Sequence, residues 1–482
     1  MTLSLNEYAA LDGLGIAELI QDKSVTPHEV AETALRAIEA VNPDVNAVVE
    51  VYEDCLEQAD TTLPRGGPFA GVPFLIKDVG AHFGGRLMEC SSRLCAGYVV
   101  KENDYFASQI LSSGVTLAGR SNTPEFSMAL CAENLLHGNT TNPWKKNYST
   151  SGSSGGAGAA LAAGIVPLAH GSDMGGSIRG PAAWCGVVGL YPSRGRVSAG
   201  PAQAESGNGM AQPFVMTRSM RDTAVMLDCV SIPQPGDPFV IQRPTQPFSS
   251  YLDTPASPIR IAYSAAPLMD APVDPEIAVV VEQTARILEI MGYDVRESAP
   301  PIDLAMIDDA CLNIWYFRFD RYLDSMAELM GRKIGPDTVE QATLKFYEFA
   351  KRQSPDDFFQ CMENLNTARR AIGNFYRNFD VWLSPTCAQV AAPFGKYGMN
   401  IDLPPEEFLI HEQRPCQFMI ANNVTGQPGL SLPLGQHTNG LPIGIQLSAR
   451  HAEEHLLIEL GAALERAIPW CDRCPPIHVS GT

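Results

Sequence analysis

The sequence predicts an α/β fold in which a β-sheet is covered by helices on both faces. Short apolar runs of the kind that form buried strands alternate with longer segments of helical periodicity along the chain. Across 482 residues, no Gly/Ser linker, charge run or low-complexity tract marks a domain boundary. We therefore expect a single domain over residues 1–482, with a helical segment at 1–65 and the candidate catalytic motifs within 66–200.

The first elements follow from capping and strand patterns. Thr26, Pro27 and Glu29 form a capping box with proline in the first turn. This pattern predicts a helix that runs to about Ala40 and stops near Pro43. Further strands are predicted at 45–49, 71–76, 115–118 and 166–169, and further helices at 105–112 and 158–163.

The second half of the chain continues the alternation. Ser219 is placed to cap a helix that begins at Met220, and the Pro-rich stretch 232–238 predicts a surface loop. Predicted helices span 275–291, 304–330, 338–352 and 357–379, and predicted strands span 259–263, 381–383, 430–432 and 444–447.

The charge balance argues against several classes of partner. Lys and Arg number 34 and Asp and Glu 54, which gives a formal net charge of −20. An acidic surface repels phosphate backbones and anionic lipids, so we expect neither nucleic acid nor membrane as a partner. The start of the chain lacks a signal-peptide pattern and no apolar run is long enough to span a bilayer, which predicts a cytoplasmic protein. The 12 cysteines are then expected to be reduced thiols.

Two serine-glycine segments carry the chemistry. Residues 151–156 read Ser-Gly-Ser-Ser-Gly-Gly, and residues 171–177 read Gly-Ser-Asp-Met-Gly-Gly-Ser. Two glycines before Ser177 allow backbone N–H groups to turn toward one point, because glycine enters unusual backbone conformations at little cost. Converging N–H groups beside a hydroxyl supply a nucleophile and an oxyanion hole. The segment therefore predicts an acyl-transfer hydrolase.

Ser177 needs a neighbouring base, and two residues are candidates. His170 is close in sequence but is expected on a packed strand, which favours a structural role. Lys77 follows the apolar run 72–76, where burial would lower the pKa of its ammonium group. A lysine at a strand end is more often an ion-pair partner, here of Asp78. The residues alone leave this choice open.

Other sites are disfavoured by their patterns. A phosphate-binding loop would need a lysine after Gly156 or Gly158, and none is present. Cys471 and Cys474, followed by His478, lack a second cysteine pair for a zinc site. We expect neither cofactor nor metal.

The order of Lys77, the serine pair and Gly-Gly-Ser resembles the amidase signature family of serine hydrolases. The resemblance extends from about residue 26 to about residue 470 and includes 70–73, 119–125, 142–144, 185–190, 426–428 and 441–446. It implies one large mixed sheet. Segments 41–48 and 195–201 are similar to the 6-aminohexanoate cyclic-dimer hydrolase branch.

This resemblance also implies roles for the candidate residues. Ser177 would be the nucleophile and Lys77 the base, with Ser153 bridging them after a cis peptide bond. A salt bridge between Asp173 and Arg179 is expected to hold the loop. The oxyanion hole would be formed by the backbone N–H groups of Met174, Gly175, Gly176 and Ser177.

The implied activity is hydrolysis of a small amide through a serine acyl-enzyme. Met128 and Trp315 stand where the cyclic-dimer hydrolase branch has an asparagine and a cysteine, which predicts a more apolar substrate pocket. An aryl amide, a longer alkyl amide or a carbamate is therefore as plausible as a cyclic amide. Packing in a helix core is an equal alternative for Trp315 and Phe317. A homodimer is possible.

The sequence disfavours two other functions. The amidotransferase subunit that amidates glutamate on transfer RNA shares the core motifs, but segment 320–326 does not resemble its arginine-containing substrate segment, and the net charge of −20 disfavours transfer RNA. A non-catalytic binding protein on the same scaffold would be expected to lack one of Lys77, Ser153 or Ser177, and all three are present.

Overall fold

The fold is built around one mixed sheet of 11 strands. The computed structural model describes residues 3–62, 66–239, 241–253 and 258–481. The strands are β1 (Val48–Val51), β2 (Pro73–Lys77), β3 (Thr116–Ser121), β4 (Leu168–Asp173), β5 (Val188–Tyr191), β6 (Gln212–Thr217), β7 (Arg260–Tyr263), β8 (Asp294–Glu297), β9 (Val381–Pro385), β10 (Gly429–Gln436) and β11 (Pro442–Ala449).

Strands lie in the order β1-β3-β2-β4-β6-β5-β10-β11-β9-β7-β8. β2 pairs in parallel with both β3 and β4, and β7 pairs in parallel with β8 and β9. The remaining pairs are antiparallel. The predicted mixed sheet is confirmed.

Helices surround this sheet. They are α1 (Leu5–Ala10), α2 (Gly13–Gln21), α3 (Pro27–Val45), α4 (Cys55–Thr62), α5 (Tyr105–Ser112), α6 (Gly155–Ala162), α7 (Arg179–Cys185), α8 (Met220–Val230), α9 (Pro275–Ile290), α10 (Leu304–Trp315), α11 (Phe319–Met330), α12 (Gln341–Ala350), α13 (Pro355–Phe375), α14 (Pro405–Cys416), α15 (Ile420–Thr425) and α16 (Glu454–Ala467). Among the described residues, no helix is both long and apolar enough to cross a membrane.

Both faces of the central sheet are covered. Every residue of β2, β3, β5, β9 and β11 is buried. Successive side chains of a strand point to opposite faces, so a fully buried strand requires packing on both. The edge strand β8 is mostly exposed, as expected for a strand that has a neighbouring strand on only one side.

The helix α3 is longer than the sequence predicts. Its capping box of Thr26 and Glu29 is present, but the helix continues through Pro43 to Val45. A proline removes one backbone donor, and near the last turn that loss is small. Asn46 then ends the helix in the left-handed conformation, and the Asn42 side chain accepts hydrogen bonds from the N–H groups that follow.

The single helix predicted over 304–330 is two helices, α10 and α11. Arg318 adopts a φ of 63°, which ends the helical path between them. The apolar periodicity is helical on both sides of the break, so the pattern alone does not reveal it. The break lies directly after Trp315 and Tyr316, two residues that line the cavity described below.

Sheet register brings two motifs together. β2 ends at Lys77, and its parallel neighbour β4 ends at Asp173, with Phe74 opposite Leu168. The carboxyl ends of parallel strands share one edge of a sheet. Residues distant in sequence therefore meet at this edge.

Candidate active site

Lys77 is buried at the end of β2 and contacts two hydroxyl groups. Its Nζ donates to Ser153 Oγ at 2.7 Å and to Ser172 Oγ at 2.9 Å. Burial lowers the pKa of Lys77 to about 7, although the charge of Asp173 acts in the opposite direction. A buried ammonium is disfavoured because it loses hydration. Asp78 does not pair with Lys77; it binds Arg120 and the backbone of Glu89 and Ser91.

Ser153 lies in a turn that requires glycine at the preceding position. A Cβ atom at Gly152 would lie 2.2 Å from the Ala129 carbonyl oxygen and 2.5 Å from the Cys131 nitrogen. The peptide bond between Gly152 and Ser153 is cis. Helix α6 begins two residues later, so Ser153 is held between a packed backbone crossing and a helix start.

The loop before Ser177 is fixed by a buried ion pair. Arg179 Nε donates to Asp173 Oδ2 at 2.9 Å, and both side chains are fully buried. Arg179 also donates to the carbonyl of Met419 and to the side chains of Asn422, Asn423 and Gln446. The predicted salt bridge is therefore present, and it ties the loop to the far part of the chain.

The predicted oxyanion donors do not all have the same environment. The N–H group of Gly176 donates to Asp173 Oδ1 at 2.8 Å, so it is engaged within the loop rather than free for a ligand. In the described part of the chain, the N–H groups of Met174, Gly175 and Ser177 have no hydrogen-bond acceptor. The glycines permit close packing: Cβ atoms at Gly175 and Gly176 would lie 2.8 Å from Trp315 and 2.6 Å from Met419.

A cavity of about 280 Å³ opens onto this loop. Ser153 and Ser177 both line it, together with Ser172 and residues 173–176. Much of the remaining wall is apolar and includes Phe126, Met128, Leu130, Trp315, Tyr316, Phe319, Phe408 and Leu409. The arrangement combines a hydroxyl group, unbonded backbone donors and a mostly apolar chamber, which suits a carbonyl compound.

The comparisons with known proteins fit this geometry. The chain matches the model of the Amidase family over residues 29–458. It is 33% identical to the 6-aminohexanoate-cyclic-dimer hydrolase of Paenarthrobacter ureafaciens, a match that covers 97% of this chain and 96% of that protein.

The chain belongs to the amidase family. It hydrolyses amides, acting on carbon–nitrogen bonds other than peptide bonds. The amidase is also 30% identical to an acylamidase of Rhodococcus erythropolis over 96% of this chain and 97% of that protein. A solved structure of 6-aminohexanoate cyclic dimer hydrolase complexed with substrate superposes with a TM-score of 0.92, at 32% identity, over 97% of this chain and 99% of that one. A bacterial aryl acylamidase of known structure superposes with a TM-score of 0.87, at 26% identity, over 95% and 96%.

Met128 and Trp315 of this amidase both line the cavity. Phe317 does not line it; its ring packs against Phe358 at a centroid distance of 4.6 Å. Trp315 is the last residue of α10, whereas Phe317 lies in the break between α10 and α11, so the two side chains have different environments.

His170 of the amidase is buried and acts within the scaffold. Its Nδ1 accepts a hydrogen bond from the backbone N–H of Lys77 at 3.1 Å, and its ring lies between Phe83 and Phe106. Burial, reinforced by the charge of Lys77, lowers the pKa of His170 to about 3. The imidazole is therefore neutral across the physiological range.

Sequence reasoning missed two polar residues of the site. Ser172 contacts Lys77 Nζ, and Glu412 lines the cavity from α14. The first could have been found from the sequence: His170 and Ser172 are two residues apart in β4, so their side chains lie on the same face of the sheet, next to the strand β2 that ends at Lys77. Nothing in the local sequence marks Glu412, because its position in the site depends on how α14 packs.

The described residues contain no group of three or more His, Cys, Asp or Glu side chains arranged to hold a metal ion. Cys471 and Cys474 are exposed, and His478 bonds to Ser480. All 12 cysteines are free thiols.

Proposed function

We propose that this amidase works through Lys77, Ser153 and Ser177, with Ser177 as the nucleophile. The observation that supports it best is the 2.7 Å contact between Lys77 Nζ and Ser153 Oγ at the wall of a cavity that Ser177 also lines. Burial favours a neutral lysine, and a neutral amine can take a proton.

The proposed reaction proceeds in two halves. Ser177 Oγ attacks the carbonyl carbon while its proton passes to Ser153 Oγ and the Ser153 proton passes to Lys77 Nζ. The N–H groups of Met174, Gly175 and Ser177 would stabilise the negative oxygen of the tetrahedral intermediate. The proton then returns along the same path to the nitrogen, the carbon–nitrogen bond breaks and the amine leaves. Water, activated by the same groups, hydrolyses the acyl-enzyme and restores Ser177.

The apolar wall supports a substrate class. We propose a small amide with an aryl, alkyl or cyclic apolar part, or a carbamate, because Met128, Trp315 and their aromatic neighbours offer few polar contacts. The relatives named as a cyclic-dimer hydrolase and an acylamidase are consistent with such substrates. A panel of anilides, cyclic amides, carbamates and primary amides would rank these classes by kcat/KM.

Trapping of the acyl-enzyme tests the nucleophile directly. The protein is incubated with an aryl carbamate that acylates serine and leaves it slowly, and the modified peptide is identified by mass spectrometry. We expect a single adduct on the peptide that contains Ser177, absent from Ser177→Ala. An adduct that persists in this variant would contradict the assignment.

We also propose how the protein is organised as a whole. One continuous sheet supports a single domain over 1–482. A homodimer, a cytoplasmic location and the lack of a nucleic-acid partner stay predictions, which the oligomeric state in solution, cell fractionation and nucleic-acid binding assays would check.

A further inference from the structure

One face of α14 forms part of the cavity wall. Phe408, Leu409, Glu412, Gln413 and Cys416 all line the cavity. Residues four apart in a helix lie on the same face, so this spacing places Glu412 between Phe408 and Cys416. A carboxyl group thus interrupts a face that is otherwise mostly apolar.

The carboxyl group of Glu412 is buried and only partly satisfied. The residue is 8% exposed. Its Oε2 accepts a hydrogen bond from the backbone N–H of Leu130, whereas Oε1 accepts no hydrogen bond of normal geometry from the described residues, although the N–H group of Gly398 is near enough to favour the charged form. A buried polar atom without a partner is costly, and such atoms are uncommon in folded proteins. Glu412 lines the chamber in which a ligand would bind, so this carboxyl group lies beside the ligand site.

No positive side chain among the described residues of the cavity wall balances Glu412. The described residues that line the cavity include no Lys, Arg or His, and the other carboxyl group there, Asp173, is paired with Arg179. Burial raises the pKa of Glu412 to about 8, while the N–H groups of Leu130 and Gly398 act in the opposite direction.

The surroundings of this carboxyl group are also acidic. The charge of Glu133, a half-buried acid, disfavours ionisation of Glu412. A second cavity shares Leu409 with the first, and its described lining holds five acids and no basic residue: Asp270, Asp303, Asp308, Asp309 and Glu406. Clustered carboxyl groups create a negative potential that attracts cations.

We propose that Glu412 is a specificity-determining residue that binds a protonated amine carried by the substrate. This inference rests on the proposed function, since it assigns one contact to the cavity that holds Ser177. The ammonium group donates a hydrogen bond to Oε1, and the apolar wall contacts the chain that links the ammonium to the scissile amide. Binding draws Glu412 into its carboxylate form, and the proton that it releases goes to solvent.

Matched substrates test the charge preference. Acyl anilides that end in an ammonium group are compared with counterparts in which a methyl or a hydroxyl group replaces the ammonium, over a series of chain lengths. For one chain length we expect kcat/KM to favour the ammonium over the methyl compound by roughly tenfold to a hundredfold, the range of a hydrogen bond to a charged group. A ratio near one at every length would overturn the proposal, and so would an equal preference for the hydroxyl compound.

A substitution of Glu412 tests whether the preference for the ammonium compound depends on this one carboxyl group. Glu412→Gln keeps the size of the side chain but cannot become an anion, so the ammonium-to-methyl ratio should fall to near one. Glu133→Gln is the matched control: it removes a nearby acid outside the cavity lining and should keep most of the ratio. Circular dichroism and thermal melting establish that both variants are folded. An unchanged ratio in Glu412→Gln contradicts the assignment.

A binding measurement separates this inference from the proposed mechanism. Hexylammonium and 1-hexanol are titrated into Ser177→Ala and into the double variant with Glu412→Gln, and the dissociation constants are measured by calorimetry. We expect hexylammonium to bind at least about tenfold more tightly than hexanol only when Glu412 is present. Equal affinities overturn the ammonium site whatever the identity of the nucleophile. Amide turnover by Ser177→Ala overturns the mechanism without affecting this result.

Discussion

At the scale of single residues, burial determines which side chains can exchange a proton. Lys77 at the end of β2 and His170 within the neighbouring strand β4 are both buried, and their pKa values are lowered to about 7 and about 3. The lysine can therefore change its protonation state near neutral pH, whereas the histidine stays neutral. This difference separates the two candidate bases that the sequence leaves open.

The first prediction concerns Lys77. Lys77→Met should lower kcat by several orders of magnitude, and Lys77→Arg should fail similarly because guanidinium stays protonated. In the wild type, activity requires the neutral amine, so kcat/KM should rise with pH through about 7 and then level off. Steady-state rates between acid and alkaline pH check this. Substantial activity in Lys77→Arg would make Lys77 an electrostatic group instead.

A second prediction distinguishes the bridging serine from the histidine. Ser153→Ala should lose activity by several orders of magnitude, because the proton path from Ser177 to Lys77 needs an oxygen there. His170→Asn retains an acceptor for the Lys77 N–H group and should lose much less. Measuring both variants under identical conditions decides between the two. An inactive His170→Asn variant together with an active Ser153→Ala variant would reverse the roles assigned to His170 and Ser153.

At the scale of elements, the turn between β4 and α7 is shaped by packing from distant helices. Gly175 lies against Trp315 at the end of α10, and Gly176 lies against Met419 just before α15. Asp173 and Arg179 close the turn with a buried ion pair. The geometry of the loop thus depends on contacts with residues that follow it by more than a hundred positions.

A third prediction tests this packing. In Gly175→Ala the new Cβ would lie 2.8 Å from Trp315, so either the loop or the ring must move and kcat should fall by about tenfold or more. Combining it with Trp315→Leu removes the obstructing ring and should restore part of kcat. A double-mutant cycle of kcat measures this coupling. Simple additivity of the two losses would show that Trp315 does not position the loop.

A fourth prediction concerns the ion pair of the turn. Arg179→Met leaves the Asp173 carboxylate buried without its partner, which typically costs about 3–5 kcal/mol of unfolding free energy. Urea unfolding followed by circular dichroism measures the loss. Arg221→Met is the control, because Arg221 pairs with Asp12 near the surface and should cost about 1 kcal/mol or less. Equal losses would refute a special role for the buried pair.

At the scale of the whole molecule, buried and half-buried acids that form no salt bridge with the described residues shape the dependence of stability on pH. Burial raises the pKa values of several carboxyl groups to about 7 or 8: Glu133, Asp222, Asp308, Glu340, Glu412 and Glu465. Between about pH 4.5 and 7 the folded protein therefore holds more protons than the unfolded chain. The contribution of these groups to stability is present at the low end of this window and is lost as the pH rises. Lys77, His170, His455 and His478, whose pKa values are lowered, act in the opposite direction but are fewer.

The fifth prediction follows from this balance. The free energy of unfolding should be higher near pH 5.5 than near pH 8, as measured by urea unfolding at each pH. Asp308→Asn should raise stability at pH 8 by up to a few kcal/mol and change it little at pH 5, because burial alone raises the pKa of Asp308 to about 7. A wild-type protein that is more stable at pH 8, or an Asp308→Asn variant that is destabilised at pH 8, contradicts this account.

The sequence by itself determined the features that depend on local backbone chemistry. Capping at Thr26 and Ser219, the helix over 105–112 and the mixed α/β alternation follow from short-range patterns. The serine-glycine segments are also recognisable from the sequence alone. The structure gives the reason for their glycines, because no larger residue fits where Gly152 and Gly175 approach other groups so closely. The resemblance of these segments to known enzymes extended this local information to an activity.

Only the tertiary structure decided how distant segments meet. Parallel pairing of β2 with β4 places Lys77 beside Ser172, and the packing of α14 places Glu412 in the cavity. The break after Trp315 and the continuation of α3 through Pro43 are equally set by context. In each case the local pattern permits more than one arrangement. The favoured one is selected by burial and hydrogen bonding between residues far apart in the chain, and these contacts exist only in the folded protein.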